Sequence, residues 1–165
     1  MWKNQKCTLT TKDILILEAL YDRRHRLSET VERLLKHKLD LAVVVFCEDI
    51  GSDVVTLNTR LQYRIGDTPS RAAILTQGAL DGTVGHCLPL TTLRGLACLG
   101  LTQGAGISLP GPNGATPDRL VVEKILYQPE AARRDRRQQQ SIRRVPRLVH
   151  SVDADVDTPP DRLRK

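Results

Sequence analysis

The apolar residues of this chain change period once, near residue 50, and that change divides it into a helical part and a β part. Ile14, Leu17, Leu20 and Tyr21 recur at helical spacing behind Thr10-Thr11-Lys12-Asp13, which has the form of a capping box. A first helix is expected from about Thr11 to Arg24. Ser28 is a good N-cap for a second, with Glu29 and Glu32 where the positive end of the helix dipole favours carboxylates. Leu27, Val31, Leu34, Leu35, Leu41 and Ala42 mark its apolar face, interrupted by Lys38. The short link Arg24-His25-Arg26-Leu27 makes the two helices an antiparallel hairpin, a short coiled coil. Val43-Val44-Val45 suits a helix end or a strand start; we assign it to the helix end and linker.

From Val54 the period is that of strands. Val54 to Leu57, Arg60 to Ile65 and Arg71 to Thr76 read as strands separated by Asn58-Thr59 and by Gly66-Asp67-Thr68-Pro69 turn chemistry. Thr92 to Leu99 reads as a short helix capped by Thr92 and stopped by Gly100. Gly106 to Leu109 and Leu120 to Tyr127 supply two more strands, joined by a wide turn at Pro110-Gly111-Pro112-Asn113-Gly114. A meander of antiparallel strands is the simplest assembly, so the fold class expected is α+β.

Charge separates a third part. The formal net charge of +6 is almost all in residues 133–165, which hold 10 Lys+Arg against 5 Asp+Glu, while residues 1–132 hold 15 against 14. With few apolar anchors, the tail cannot recover the roughly 1 to 2 kcal/mol per residue that ordering its backbone costs, and disorder is expected, with Ala131 to Ile142 able to continue as a transient helix. The domains expected are a helical hairpin over 1–48, a sheet domain over 49–132 and a basic low-complexity tail over 133–165.

Cys7, Cys47, Cys87 and Cys98 form no C-x-x-C pair, and His25, His37, His86 and His150 never fall beside them at ligand spacing. Neither a zinc site nor a disulfide framework is expected, and no cofactor. The longest apolar run, Leu41 to Cys47, is far short of the ~20 residues of a membrane span, and no apolar signal core follows Met1. We read a soluble, cytoplasmic protein. Gly104-Ala105-Gly106 lacks the third glycine of a dinucleotide fingerprint, because position 109 is Leu, and reads as a turn. Ser28, Ser52 and His86 have no triad context, and no small-molecule substrate or enzyme activity is expected.

Three segments in order carry a family pattern: Asp53-Val54-Val55-Thr56-Leu57-Asn58-Thr59-Arg60, then Gly95-Leu96-Ala97-Cys98-Leu99-Gly100-Leu101-Thr102-Gln103-Gly104, then Tyr127-Gln128-Pro129-Glu130-Ala131. Over about residues 10 to 132 the chain resembles the GreA/GreB-type transcription elongation factors, most closely the regulator of nucleoside diphosphate kinase branch. The resemblance implies a helical hairpin followed by an FKBP-like antiparallel sheet wrapped on one short helix, and bacterial RNA polymerase as partner. Leu93 stands where the family has Pro, and Ala105 where it usually has Asp.

The region of that Pro is implicated in docking at the polymerase secondary channel, so Thr91, Thr92, Leu93 and Arg94 are the contact residues carried over. The alternative, that Thr92 and Leu93 cap and pack the helix, stands beside it. Family members that stimulate transcript cleavage end a long coiled coil in acidic residues that hold magnesium. Here the hairpin tip carries Arg23, Arg24, His25 and Arg26, which repel a cation, on an arm of roughly 27 Å. The function expected is occupancy of the secondary channel in competition with cleavage factors, without cleavage. A second reading is nucleic-acid binding through Arg133, Arg134, Arg136, Arg137, Arg143, Arg144 and Arg147, with a solvated extension as its bland counterpart. A third, prolyl isomerase activity, wants an aromatic-lined site; the chain has one Phe, one Trp and three Tyr, with only Tyr63 and Tyr127 in the sheet region.

Overall fold

A computed structural model describes residue 2 and residues 7–78, 86–111 and 117–143. Thr10 caps the first helix, α1 (Thr11–Asp22), in a true capping box: its hydroxyl accepts from the Asp13 N–H at 3.0 Å, and the Asp13 carboxylate accepts from the Thr10 N–H. A 3₁₀ turn at Arg24–Arg26 reverses the chain into α2 (Glu29–Leu41), capped by Ser28. The arm is shorter than expected: α1 has 12 residues, about 18 Å. Val31, Leu34, Leu35 and Lys38 form the buried face of α2, while Leu41, its last residue, is exposed because the chain turns away there. Lys38 thus continues the buried stripe. Its Nζ donates to the Leu99 carbonyl at 2.6 Å and lies 3.5 Å from Cys7 Sγ, which satisfies an ammonium that burial would otherwise penalise.

Val43–Val45 is a strand, β2, not a helix end. It pairs in parallel with Thr8–Thr10, β1, a strand too short to read from sequence. β-branched side chains and a ready partner outweigh continuation of the helix.

The main sheet contains β3 (Arg60–Ile65), β4 (Arg71–Thr76), β5 (Cys87–Pro89), β6 (Gly106–Leu109) and β7 (Asp118–Tyr127) in the order β5-β4-β3-β7-β6. It is a mixed sheet, correcting the antiparallel meander: β5 runs parallel to β4 with Ile74 opposite Cys87. The short helix α3 (Leu93–Cys98) packs against it. Gly95 has no room for a side chain, since a Cβ there would lie 2.1 Å from the Pro89 carbonyl oxygen. Gly100 ends the helix at φ +76°, and its carbonyl accepts from Thr8 N–H at 3.1 Å, joining α3 to β1. One hydrophobic core runs from Leu17, Val31, Leu34 and Leu35 of the hairpin through Leu96, Ala97 and Leu99 to Leu61, Leu75, Leu120 and Val122 of the sheet.

Val54 to Leu57 is not a strand. Val54 makes a single bridge to Thr102, and the chain then bends through Asn58 at φ +65°. Side-chain hydrogen bonds hold the bend: the Thr56 N–H donates to Thr59 Oγ1 at 3.0 Å, and Thr56 Oγ1 donates to Glu130 Oε2 at 2.6 Å. The Leu57 N–H donates to Asp13 Oδ1 at 3.2 Å, and Gln128 Nε2 donates to the carbonyls of Gly51 (2.8 Å) and Val54 (2.6 Å). All of these side chains are buried.

The chain after Glu130 is a helix, α4 (Pro129–Arg143), where a disordered tail is expected from residue 133. Pro129 and Glu130 suit its first turn. Arg134 Nη1 donates to the Glu48 carbonyl at 3.2 Å and Arg137 pairs with the Glu48 carboxylate at 3.6 Å, contacts to a distant loop that a reading of local composition does not anticipate. The turn at residues 112–114 and the tail beyond residue 143 lie outside the described residues.

Gly95→Ala is expected to cost about 3 kcal/mol of stability in urea unfolding, as an overpacked site with backbone on the other side. Gly104→Ala, with φ +83° but nothing within 4 Å, is expected to cost only about 1 kcal/mol. Equal losses would mean that the Pro89 contact imposes nothing.

Burial raises the Asp13 carboxyl above its ordinary value of 3.8, the hydrogen bonds from Thr10 and Leu57 oppose that, and the Glu130 charge adds to the rise. The folded chain therefore holds this proton more tightly than the unfolded chain. The resulting stabilisation is complete below the ordinary carboxylate value and is lost as pH rises through the folded value. Wild type is expected to lose ground to Asp13→Asn across that window in urea unfolding and to level off above it; a difference that does not change with pH would refute the linkage.

Candidate functional site

A groove of about 920 Å³ lies between the hairpin tip and the N-terminus of α3. One wall comes from α1, where Ile16, Ala19, Leu20 and Arg23 fall at i, i+3, i+4 and i+7 and so share a helix face. Arg26, Leu27 and Val31 continue that wall through the turn into α2. The opposite wall is Leu90, Thr91, Thr92 and Leu93, with Gln77 and Gly78 at the end of β4. The arrangement is an apolar trough with two guanidinium groups on its rim.

The two sets of contact residues inferred from separate parts of the sequence divide on this geometry. Thr91, Thr92 and Leu93 line the groove together with Arg23 and Arg26. Thr92 also caps α3: its Oγ1 accepts from the Gly95 N–H at 3.1 Å and donates to the Pro89 carbonyl at 2.7 Å. Leu93 is the first helical residue, so α3 starts normally without the family's Pro. The turn containing Ala105 also closes, through Ala105 N–H to the Thr102 carbonyl at 3.0 Å.

Arg24 and His25 do not line the groove. Arg24 stacks over the Tyr21 ring at 4.6 Å and pairs with Glu32 at 3.4 Å, which commits it to the hairpin. Arg94 faces a second depression of about 610 Å³, with Tyr63, Arg71, His86 and Asp118. Burial, with the Cys98 thiol adding, pushes the Tyr63 phenol up, and Arg94 and Arg71 only partly offset it.

On the third predicted surface, Arg133 and Arg136 are exposed on α4, whereas Arg134 and Arg137 are turned to Glu48. Arg143 is the last residue of α4, and Arg144 and Arg147 lie outside the described residues. The deepest thiol, Cys98, is pushed by burial to about 12, despite the Lys38 charge, and is therefore no nucleophile at neutral pH. Among the described residues no three His, Cys, Asp or Glu side chains approach closely enough to hold a metal. What the geometry of the described residues offers is a surface for binding.

Sequence reasoning missed the apolar half of the groove. Ile16, Ala19 and Leu20 carry a helical signal, but it reads as core packing until the hairpin and α3 are placed face to face. Leu90 carries no such pattern.

No family model matches the chain. It is 34% identical over 99 residues to the regulator of nucleoside diphosphate kinase of Escherichia coli K12, covering 59% of this chain and 72% of that one, and equally to that of Shigella flexneri. Among solved structures, a prokaryotic transcription elongation factor GreA/GreB from Nitrosomonas europaea superposes with a TM-score of 0.57 at 28% identity, covering 75% of this chain and all of that one. The three family segments now have a physical reading as well: the first is the buried bend, the third supplies Gln128 and Glu130 that hydrogen-bond to it, and the second is most of α3 with its two required glycines. The chain belongs to the regulator of nucleoside diphosphate kinase family, a branch of the GreA/GreB-type superfamily.

Proposed function

We propose that the protein regulates transcription by binding bacterial RNA polymerase at the secondary channel and competing there with Gre-type cleavage factors, without stimulating cleavage. The observation that carries this reading is the convergence of the hairpin tip and the α3 N-terminus on one apolar groove with an arginine rim. A groove of that composition suits an amphipathic segment with acidic flanks. In this reading the mixed sheet around α3 is the FKBP-like docking unit, and the hairpin lies across the channel mouth or enters it.

Competition needs no chemistry, only a ratio of concentrations to dissociation constants. The tip offers Arg23, Arg24, His25 and Arg26, all exposed, where a magnesium-holding tip needs carboxylate oxygens. The protein in this account is soluble, acts in the cytoplasm and is not an enzyme.

Titration into a stalled polymerase complex undergoing Gre-stimulated cleavage is expected to slow cleavage in proportion to dose, with relief by excess Gre factor. The pair Arg23→Glu and Arg26→Glu is expected to raise the half-inhibiting concentration about tenfold, or ~1.4 kcal/mol. Undiminished cleavage at saturating protein would end the proposal.

Nucleic-acid binding through the basic C-terminal region has one supporting observation, the formed helix α4 with Arg133 and Arg136 exposed on it. Removal of residues 133–165 is then expected to flatten the salt dependence of DNA association, by roughly one logarithmic unit of slope for each phosphate the arm had neutralised. An unchanged slope would exclude this arm.

A further inference from the structure

Among the described residues, nothing pairs with the outer edge of β2 in the two-stranded sheet. Val43 N–H donates to the Cys7 carbonyl at 2.9 Å, and the parallel register sets Thr8 opposite Val43, Leu9 opposite Val44 and Thr10 opposite Val45. Val43 and Val45 therefore turn their main-chain groups to β1. Because N–H and C=O point in opposite directions across each trans peptide, the C=O of Ala42, both groups of Val44 and the N–H of Phe46 point outward. None has a hydrogen-bond partner among the described residues. The Ala42 N–H is already spent on the Lys38 carbonyl at 3.0 Å, and the Phe46 carbonyl on the Asp49 N–H at 3.0 Å.

The outward series is thus an acceptor at 42, a donor and acceptor at 44 and a donor at 46, and it is its own complement. When a second copy is laid antiparallel with Val44 opposite Val44, the two valines exchange two hydrogen bonds. Each Phe46 N–H meets the other copy's Ala42 carbonyl, which adds two more. The groups that this register leaves unmatched are the ones each chain has already satisfied internally. A shift by two residues instead sets Val44 against a spent group.

The side chains agree with the backbone. Leu41, Val43, Val44 and Phe46 are 54%, 63%, 47% and 67% exposed, a cluster of apolar surface on an unprotected edge. Covering those four apolar residues fully on both copies removes at most roughly 800 Å², below the ~1,200 Å² where stable specific interfaces begin, so the association is weak and transient, with a dissociation constant in the micromolar range or above.

We propose that the protein associates with a second copy of itself through antiparallel pairing of β2 about Val44, an isologous interface on the open edge of the β1–β2 sheet. Sedimentation velocity on the full chain from about 1 to 200 µM, spanning the micromolar range, is expected to show monomer passing to dimer. Val44→Pro removes the outward donor, leaves the groups facing β1 in place, and is expected to hold the chain monomeric with an unchanged circular dichroism spectrum. Val44→Thr keeps the N–H and is expected to dimerise. Hydrogen exchange on wild type gives a readout independent of any variant: the Val44 and Phe46 amides are expected to exchange freely when dilute and to become protected as concentration rises.

Wild type that stays monomeric throughout the range overturns the proposal, as does Val44→Pro dimerising like wild type. Protection of those two amides in dilute monomer also overturns it, because the chain itself, for example through residues 144–165, would then be covering the edge.

Discussion

Buried side chains that bond to groups distant in sequence hold the molecule in register. Asp13 of α1 accepts from Leu57, Glu130 of α4 accepts from Thr56, and Gln128 donates to Gly51 and Val54. Every one of these bonds terminates in the irregular segment between Gly51 and Thr59, which has almost no strand pairing of its own. Main-chain bonds to Leu75, Gly100, Leu101 and Gln103 satisfy part of this loop, and side chains must satisfy the rest, since each buried group left orphaned costs roughly 1 to 3 kcal/mol. The bend is therefore where hairpin, sheet and α4 are tied together, and removing one member would unsettle all three.

Lys38 makes a second tie of the same kind. Its Nζ reaches the Leu99 carbonyl at the end of α3, so the base of the hairpin is fixed to the same short helix whose N-terminus walls the groove. Gly95 lets α3 sit against Pro89, and Gly100 lets the chain leave it beside β1. The spacing between the hairpin tip and Leu93 follows from contacts at the other end of both elements. A groove built this way is held open by its foundations, because its own walls are separated.

Long amphipathic elements were legible in the sequence: α1, α2, β3, β4 and β6 fall where period and caps place them, because each buries one face over several residues. Short elements were not. Thr8–Thr10 and Cys87–Pro89 are three residues each, too few to show a period, and both exist through parallel pairing with a strand elsewhere in the chain. Val54 to Leu57 has strand composition but divides its polar groups between the main chain of Gly100 and Leu101 and the side chains of Asp13, Glu130 and Gln128, partners far away in sequence. Lys38 looks like an interruption of an apolar face until the Leu99 carbonyl is known to lie beside it. For the groove, Arg23, Arg26 and Leu93 were accessible by position in the hairpin and by family pattern, whereas Leu90 and the Ile16 face needed the packing.

The family segments and the groove are different parts of the molecule, and that separation limits what membership says about function. The first segment is the buried bend, and the third supplies Gln128 and Glu130, whose side chains are buried against it. They come nearest at the N-terminus of α3, where Leu93 lines the groove two positions before the second segment begins. There the family's Pro is replaced by Leu93 at the first helical position, where a proline is favoured because the N–H it lacks has no partner within the helix. Thr92 supplies the cap that starts the helix regardless, and the change exchanges a fixed ring for a flexible apolar side chain lining the groove. Its consequence therefore falls on the shape of the groove and leaves the fold alone.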